Sequence, residues 1–372
     1  MGNWSGLCDE ILDLIVDQFS AVEDIVNFGA VCRQWRSVSV KRWPLSTEYL
    51  WLMLAEKESS DNRGFYSFST KKVYYLNLPE ACGRKCWSSC GWLITFGLDL
   101  EIQLLNPFSR PRVLIRLPPQ PTLPYQYSTD TGPKSVRRFF IRKVILSSRP
   151  SSEDDDEKCV VMAIYSEDRK LAFLRLGDEV WTPVDTHEGI ANFVDGHVRI
   201  TDVIYFNGQF YAITKRGELL IVDISSSHPK TIEFAEPPEG VDDFVDFYLV
   251  ESVGELFMLA WVVYVGGEWT SPSWFDVYKF NFDNRMWTKV KSLDNRALFV
   301  GDNASFTIFP SNHLGCEPNC MYFADDDLFG GCEKVRAGRD MGVYQTETKK
   351  VDYRSPDILS SICAPIWINP SP

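Results

Sequence analysis

Histidines and clusters of basic residues are both scarce in this chain. Its four histidines are His187, His197, His228 and His313, and none stands in a recognisable nucleophile or base context. No Gly-x-Ser-x-Gly motif is present, so the sequence gives no support for a hydrolase of the nucleophile-elbow type. Asp and Glu (51) outnumber Lys and Arg (38), and the formal net charge is −13. This balance argues against nucleic-acid binding, which needs a basic surface.

Long apolar runs are also missing. No run approaches the 18 residues that a transmembrane helix needs, so we predict no membrane partner. The first 30 residues hold acidic side chains where a signal peptide would need an apolar core, namely Asp9, Glu10, Asp13 and Asp17. We therefore expect the ten cysteines to be free thiols in a reducing compartment, either the cytoplasm, the nucleus or both.

One group of cysteines could be taken for a metal site. His313, Cys316, Cys320 and Cys332 lie close in sequence, and all are competent zinc ligands. Three residues separate Cys316 from Cys320, whereas structural zinc sites usually separate such a pair by two. Cys320 also opens an apolar strand pattern, where a thiol often behaves as a small buried hydrophobe. We predict thiols here, and no metal or cofactor for the chain.

The N-terminus has the periodicity of short helices. Ile11, Leu14 and Ile15 stand at i, i+3, i+4 spacing and predict one apolar stripe. Ser20 followed by Glu23 is a capping-box pattern, which predicts the start of a second helix.

A third helix is predicted from another apolar stripe. Val31, Trp35 and Val38 are spaced at i, i+4, i+7. Three helices this short cannot bury all of these apolar faces in a core of their own. The surplus apolar surface suggests a partner.

This stretch resembles the F-box, which docks a substrate receptor onto the Skp-family adaptor of SCF ubiquitin ligases. The matching residues are Leu7, Glu10-Ile11-Leu12, Ile15, Asp24-Ile25, Val31-Cys32-Arg33, Trp35 and Arg36. The family usually has Pro after the first Leu, where this chain has Cys8. The alternative is an ordinary helical cap packed on the following domain.

The resemblance implies a three-helix F-box over residues 1–44 that binds a Skp-family adaptor and, through it, a cullin. The residues expected to form or support the adaptor-facing surface are Leu7, Ile11, Leu14, Ile15, Ile25, Val31, Cys32 and Trp35.

The rest of the chain, residues 45–372, has the patterns of β-strands. Aromatic residues make up 14% of the sequence, which favours strands. Asn207-Gly208 between two apolar runs is a strong hairpin signal. Units of three or four strands recur at roughly 40–55 residues, which is typical of propeller blades. Trp181-Thr182 and Trp287-Thr288 fall where the last strand of a unit is expected. We predict a mainly β body, a β-propeller of about six blades within residues 49–350; a pair of β-sandwiches is the alternative.

The body also resembles a plant-specific domain found C-terminal to F-boxes in a large angiosperm family. The matching segments are Gly91-Trp92-Leu93, Leu104-Leu105-Asn106-Pro107, Val300-Gly301-Asp302-Asn303, Asn319-Cys320-Met321-Tyr322-Phe323, Asp325-Asp326-Asp327 and Pro365-Ile366-Trp367. The order of these segments, rather than any one of them, carries the resemblance. That family has no established enzymatic activity, so the resemblance implies a recognition domain.

The sequence therefore predicts a non-catalytic substrate-recognition subunit of an SCF-type ubiquitin ligase, whose propeller binds a target protein for ubiquitination. One alternative is a propeller that binds or acts on a small molecule, with the helices as a structural cap. A polar central pocket with converging acids and a perturbed pKa would support that alternative. Another is an adaptor-bound protein that sequesters its partner without ubiquitinating it.

Overall fold

The computed structural model of the protein describes most of the chain. The described residues are 4–16, 18, 28–29, 31–42, 50–57, 60–109, 112–126, 131–150, 159–186, 198–240, 245–262, 274–310, 315–324, 341–353 and 362–368.

Within the described residues near the N-terminus, two α-helices follow a 3-10 turn over Trp4–Gly6. Helix α1 spans Asp9–Val16, and helix α2 spans Arg33–Arg42. Asp9 and Glu10 occupy the first turn of α1, where negative charge is favourable because it complements the helix dipole. The two helices close a small core made by Leu12, Val16, Phe28 and Val38. The helix predicted to start at Ser20 lies outside the described residues.

The body is built from short strands that alternate in direction within each sheet, except for one parallel pair in the last sheet. In chain order they are β1 (Trp51–Met53), β2 (Asn62–Ser67), β3 (Lys72–Asn77), β4 (Lys85–Ser89), β5 (Trp92–Phe96), β6 (Ile102–Asn106), β7 (Val113–Leu117), β8 (Ile141–Leu146), β9 (Val160–Tyr165), β10 (Lys170–Arg175), β11 (Thr182–Val184), β12 (Ile200–Phe206), β13 (Gln209–Thr214), β14 (Leu219–Asp223), β15 (Lys230–Ala235), β16 (Val245–Ser252), β17 (Glu255–Val262), β18 (Trp274–Asn281), β19 (Met286–Val290), β20 (Ala297–Gly301), β21 (Phe306–Ile308), β22 (Cys320–Ala324), β23 (Gly342–Gln345), β24 (Lys350–Tyr353) and β25 (Ile366–Ile368).

These strands form six sheets, five with four strands and one with five. The innermost strands of successive sheets lie side by side in the order β25, β4, β8, β12, β16 and β21. The apolar faces of neighbouring sheets pack on one another, and the contact between the sixth and first sheets includes Phe299, Tyr322 and Trp367. This is a six-bladed β-propeller, as the sequence predicted; the paired β-sandwich is wrong.

The ring closes through the C-terminal strand. Strand β25 pairs antiparallel with β1, with Trp51 opposite Ile368 and Met53 opposite Ile366. The first blade therefore joins the last strand of the chain to the first three. The predicted range of 49–350 for the blades is too short, because the innermost strand of the first blade lies after it. A strand of three residues is too short to show a periodic signal.

Some strand boundaries do not follow from the sequence pattern. Strand β8 begins only at Ile141, because the preceding residues Val136–Phe140 form a π-helical turn. The buried Arg137 holds this turn in place, since its Nη1 donates to the carbonyl oxygen of Gly83 at 2.6 Å. Strand β4 was missed because its sequence, Lys-Cys-Trp-Ser-Ser, shows no alternation of apolar and polar residues. Strand β15 was missed as well.

The sixth blade differs from the others. Strand β20 runs parallel to β22 and antiparallel to β21, which is innermost. The chain turns between β20 and β21 at Gly301, whose φ is +151°. A Cβ atom at Gly301 would lie 2.4 Å from the carbonyl oxygen of Ala324, so only glycine fits there. This turn sends residues 302–305 into the centre of the ring.

Candidate functional site: an apolar surface on the N-terminal helices

Helix α1 has two apolar faces. Leu12 and Val16, four residues apart, are buried in the helical core. Ile11 and Leu14 point away from that core, and their side chains are 45% and 66% exposed. A short helix that buries one apolar face and exposes a second has a surface available for a partner.

The predicted adaptor-facing residues fall into three groups. Ile11, Leu14 and Val31 are exposed. Leu7, Ile15 and Trp35 are partly buried and pack against the helical core, and Cys32 is also partly buried. Ile25 lies outside the described residues. The structure therefore divides the predicted set into side chains that face outward and side chains that lie at the edge of the core.

Two residues that sequence reasoning missed shape this surface. Trp4 is 67% exposed, and its carbonyl oxygen accepts a hydrogen bond from Trp35 Nε1 at 3.3 Å. Gln34 Nε2 donates to the carbonyl oxygen of Leu7 and to Asp9 Oδ1, both at 2.9 Å. These bonds tie the segment before α1 to α2. Gln34 lies between Arg33 and Trp35 in the segment that resembles the F-box, and this position could have identified it as part of the surface.

Aromatic packing fixes the position of Trp35. The ring centroids of Trp35 and Phe28 are 4.4 Å apart, with the ring planes tilted by 34°. Phe28 is buried in the helical core. Contact between the rings therefore connects the core to the partly exposed edge of the surface.

The centre of the propeller is the second candidate site, and a chain segment crosses it. Asn303 Oδ1 accepts a hydrogen bond from the Ser88 backbone N–H at 2.9 Å. The carbonyl oxygen of Ser88 accepts one from the Ala304 N–H at 3.1 Å. Asp302 forms an ion pair with Arg142 at 3.2 Å. Residues 302–305 therefore bridge from the sixth blade to the innermost strands of the second and third.

Two ion-paired carboxylates lie beside this segment. Asp202 pairs with Lys143, and both side chains are almost fully buried. Burial raises the pKa of Asp202, although Lys143 and the backbone N–H groups of Leu249 and Val203 oppose that rise. These N–H groups donate to Asp202 at 2.8 and 2.7 Å.

The pKa of the second carboxylate, Asp246, is shifted in the opposite direction. Burial alone would raise the pKa of Asp246, but Lys215 and Arg169 hold it below its ordinary value. Lys215 Nζ lies 2.9 Å from Asp246 Oδ1, and Arg169 Nη1 lies 3.7 Å from the same atom.

The space left among these charges is small. The cavity bordered by Arg142, Asp202, Asp246 and Asp302 has a volume of about 10 Å³, which is room for one water molecule. Small-molecule sites usually enclose a few hundred Å³ or more. The converging acids that a small-molecule propeller would need are present, but the crossing segment and their own cations leave this cavity room for only about one water molecule.

Of the four residues considered as zinc ligands, the structure describes two, Cys316 and Cys320. Cys316 and Cys320 belong to one apolar core cluster, and burial raises the pKa of each thiol to about 11. His313 and Cys332 lie outside the described residues. Within the part of the chain that the structure describes, no group of three or more His, Cys, Asp or Glu side chains could hold a metal ion.

Apolar side chains are also exposed at the tips of hairpins. Val253 lies in the turn between β16 and β17, and Phe282 in the turn between β18 and β19. Because consecutive strands of a blade alternate in direction, these two turns open on the same face of the propeller. Phe309, which follows β21, is exposed as well and lies under the guanidinium of Arg296 at 5.5 Å. No helix among the described residues is long and apolar enough to cross a membrane.

A helical unit with an exposed apolar face, followed by a six-bladed propeller, defines a two-module recognition protein. The sequence model of the F-box domain matches residues 4–46, and that of the KIB1-4 beta-propeller matches residues 65–345. The chain belongs to the KIB1-4 β-propeller family and has an F-box domain at its N-terminus. The predicted division between residues 44 and 45 stays a prediction.

Similar proteins include several from Arabidopsis thaliana. One, At5g55150, whose name describes it as an F-box protein, is 27% identical over 99% of this chain and 97% of its own length. F-box protein SKIP23 is 26% identical over 95% of this chain and 91% of its own length. Among solved structures, the β-propeller domain of Myceliophteria thermophila Cps50 (Swd1) is 10% identical with a TM-score of 0.32, over 82% of this chain and 96% of that one. A score this low does not bear on function.

The two domains together support a general role in substrate recognition within SCF-type ligases. An F-box domain implies binding of a Skp-family adaptor, and F-box proteins are typically non-catalytic subunits.

Proposed function

We propose that this protein is the substrate receptor of an SCF-type ubiquitin ligase, in which the helical unit binds a Skp-family adaptor and the propeller holds a target protein. The observation that carries the proposal is the pair of faces on α1. Leu12 and Val16 already supply the core of the helical unit, so Ile11 and Leu14 are available to a partner.

The adaptor contact is proposed to centre on Ile11, Leu14 and Val31. Leu7, Ile15, Cys32 and Trp35 support this centre from the edge of the core, and Ile25 completes the predicted set. Apolar side chains at the middle of an interface contribute most of the binding free energy when the partner removes them from water. A charge placed among them would be buried without a counter-ion, and it would weaken binding strongly.

The propeller is proposed to hold the target on the face that bears Val253, Phe282 and Phe309. Exposed apolar side chains on one face support this choice, because a bound protein would cover them. The receptor would accelerate ubiquitin transfer by raising the effective concentration of a target lysine near an E2 enzyme carried elsewhere in the complex. The chain itself would make or break no bond.

The test is co-expression of the full-length chain with a Skp-family adaptor. We expect the wild type to co-purify with the adaptor, and we expect Ile11→Glu and Leu14→Glu to abolish capture. Leu98→Glu is the matched control, because Leu98 in the propeller is 45% exposed, the same fraction as Ile11. Full capture by both helix variants would overturn the assignment of this surface.

Ubiquitin transfer to the bound target distinguishes a substrate receptor from a protein that only sequesters its partner. A reconstituted ligase containing the wild-type chain would ubiquitinate a bound target if the chain is a receptor. Binding of both adaptor and target without ubiquitin transfer would instead indicate sequestration.

A further inference from the structure

The outermost strand of the first blade, β3, has an open side. The strands of this blade are ordered β25, β1, β2 and β3, so β2 is the only described strand that pairs with β3. That pairing is continuous from Lys72 to Asn77, without a bulge. Natural edge strands are commonly protected by a proline, a bulge or a charged residue. Residues 73–77 of β3 include neither proline nor a charged residue.

Two residues of β3 direct their backbone groups toward this open side. Gly64 on β2 lies opposite Tyr75, but its carbonyl oxygen accepts a hydrogen bond from the Leu54 N–H at 2.8 Å, on the β1 side. Tyr75 and Gly64 are therefore a non-hydrogen-bonded pair, in which the N–H and C=O of Tyr75 point away from β2. The alternation of antiparallel pairs gives Val73 the same orientation.

The end of the strand shows this orientation directly. The carbonyl oxygen of Asn77, two residues after Tyr75, accepts a hydrogen bond from Arg112 Nη2 at 2.7 Å. Arg112 also forms an ion pair with Glu80 at 2.6 Å, so this end of the open side is occupied. The outward backbone groups of Val73 and Tyr75 remain available to a partner strand.

The side chains of the same two residues form an exposed apolar patch. Val73 is 40% exposed and Tyr75 is 56% exposed. Both side chains lean over Gly64, because a Cβ atom there would lie 3.3 Å from Val73 Cγ1 and from Tyr75 Cε1. A strand added at this edge would therefore gain main-chain hydrogen bonds and apolar contacts from the same residues.

Lysines flank this patch. In the described part of the first blade, the exposed charged residues are Lys57, Lys71, Lys72 and Asp61. Lys57 Nζ lies 5.4 Å from the centroid of the Tyr75 ring, at one end of the patch, and the other two lysines lie where β3 begins. Three cations and one carboxylate make this edge positive in a chain whose net charge is −13. Charge complementarity therefore favours an acidic partner.

We propose that β3 is a docking strand for an extended segment of another protein, in which acidic residues flank two apolar residues at alternate positions. Such a segment pairs with the backbone of Val73 and Tyr75, covers their side chains and brings its carboxylates to the lysines. This edge belongs to the first blade, and it is a different surface from the face that bears Val253, Phe282 and Phe309.

A second copy of this chain would fit the strand less well. Antiparallel pairing of two β3 strands about Tyr74 would place Val73 opposite Tyr75 of the copy. Lys57, beside Tyr75, would then approach Lys72 of the copy, and like charges brought together across an interface weaken it.

The test is fluorescence polarisation of the full-length protein with a labelled peptide, Glu-Glu-Val-Thr-Val-Thr-Glu-Glu. We expect saturable binding that weakens as the salt concentration rises. Val73→Glu places a negative charge in the patch and should weaken binding at least about tenfold. Ile232→Glu is the matched control and should leave binding unchanged, because Ile232 is 42% exposed on β15, the outermost strand of another blade.

Two altered peptides decide the matter even if Val73→Glu fails to fold. A peptide with N-methylated valines lacks the N–H groups that would pair with β3, and Lys-Lys-Val-Thr-Val-Thr-Lys-Lys reverses the charge. Each should bind at least about tenfold more weakly than the first peptide.

The proposal would be overturned if the first peptide showed no saturable binding, or if either altered peptide or the Val73→Glu protein bound equally well. A wild-type dimer that Val73→Glu dissociates would also overturn it, since the occupant of β3 would then be a second copy. None of these measurements involves the Skp-family adaptor, so their failure would leave the proposed function intact.

Discussion

Asn303 accepts a hydrogen bond from the backbone of Ser88 at 2.9 Å, across 215 residues of sequence. The contact joins the segment that crosses the centre of the ring to the innermost strand of the second blade. Both residues are buried. The same segment occupies the space in which a small ligand would bind, so the contact bears on function as well as on stability.

Replacing Asn303 with Ala should destabilise the fold. The substitution leaves the buried Ser88 N–H without its partner, at a cost of about 1–3 kcal/mol in the free energy of unfolding. Urea denaturation of the full-length protein measures this change. The control is Asn77→Ala, because Asn77 is exposed on β3 and its side-chain bond to Asn62 is 3.4 Å long. An Asn303→Ala protein as stable as this control would show that the central contact is dispensable.

Substitutions at Leu12 and Leu14 should distinguish an effect on folding from an effect on adaptor binding. Leu12→Ala empties a fully buried position in the helical core, and such changes cost about 2–5 kcal/mol. Leu14→Ala removes an exposed side chain, so it should change the stability of the helical unit by no more than about 0.5 kcal/mol. Under the proposed function, Leu14→Ala should nonetheless weaken adaptor binding.

The measurements for this pair are proteolytic susceptibility of the N-terminal helices and affinity for the adaptor. If Leu14→Ala weakened binding only in proportion to increased proteolysis, the exposed face of α1 would have a structural role and no direct one.

The same two residues show what the sequence could predict. The spacing of Ile11, Leu14 and Ile15 correctly indicated a helix with an apolar stripe. It did not indicate which apolar residues would be buried, because Leu12 and Val16 form a second stripe one position away. Local periodicity predicts a helix, but the choice of the inward face depends on what packs against it, here Phe28 and Val38.

In the propeller as well, the sequence predicted some features and not others. Asn207-Gly208 forms the predicted tight turn, with φ of 48° and 80°, and Trp287 lies on the last strand of its blade as expected. These features depend on neighbouring residues. Closure by β25 and the path of residues 302–305 across the centre depend on contacts between distant segments, so no local pattern predicted them.

Replacing Val253 with Asn should stabilise the protein. Val253 has a φ of 52°, in a two-residue turn with Gly254, and its side chain is 72% exposed. A β-branched residue is strained in this left-handed conformation, whereas Asn adopts it readily and is favoured at this position of the turn. We expect a gain of about 1 kcal/mol in the free energy of unfolding. Val73→Asn, at an exposed strand position, is the comparison and should give no gain.

Lys143 should be essential for stability at neutral pH. Lys143→Met would leave the Asp202 carboxylate buried and unpaired, which typically costs about 3–5 kcal/mol. Burial already raises the pKa of Asp202 in the wild type, and loss of the cation would raise it further. A carboxyl group with a raised pKa in the folded state destabilises the fold as the pH rises through that value, since ionisation is then easier in the unfolded chain. The deficit of Lys143→Met relative to the wild type should therefore be largest at pH 7 and above and shrink as the pH falls.

Urea denaturation of the wild type and of Lys143→Met, at pH 7 and at lower pH values, measures this deficit in the free energy of unfolding. The double variant Lys143→Met/Asp202→Leu removes both charges, so it should recover much of the lost stability and show no pH-dependent deficit. A deficit in Lys143→Met that is the same at all pH values, or that persists in the double variant, would mean that Lys143 stabilises the centre by packing and not by neutralising Asp202.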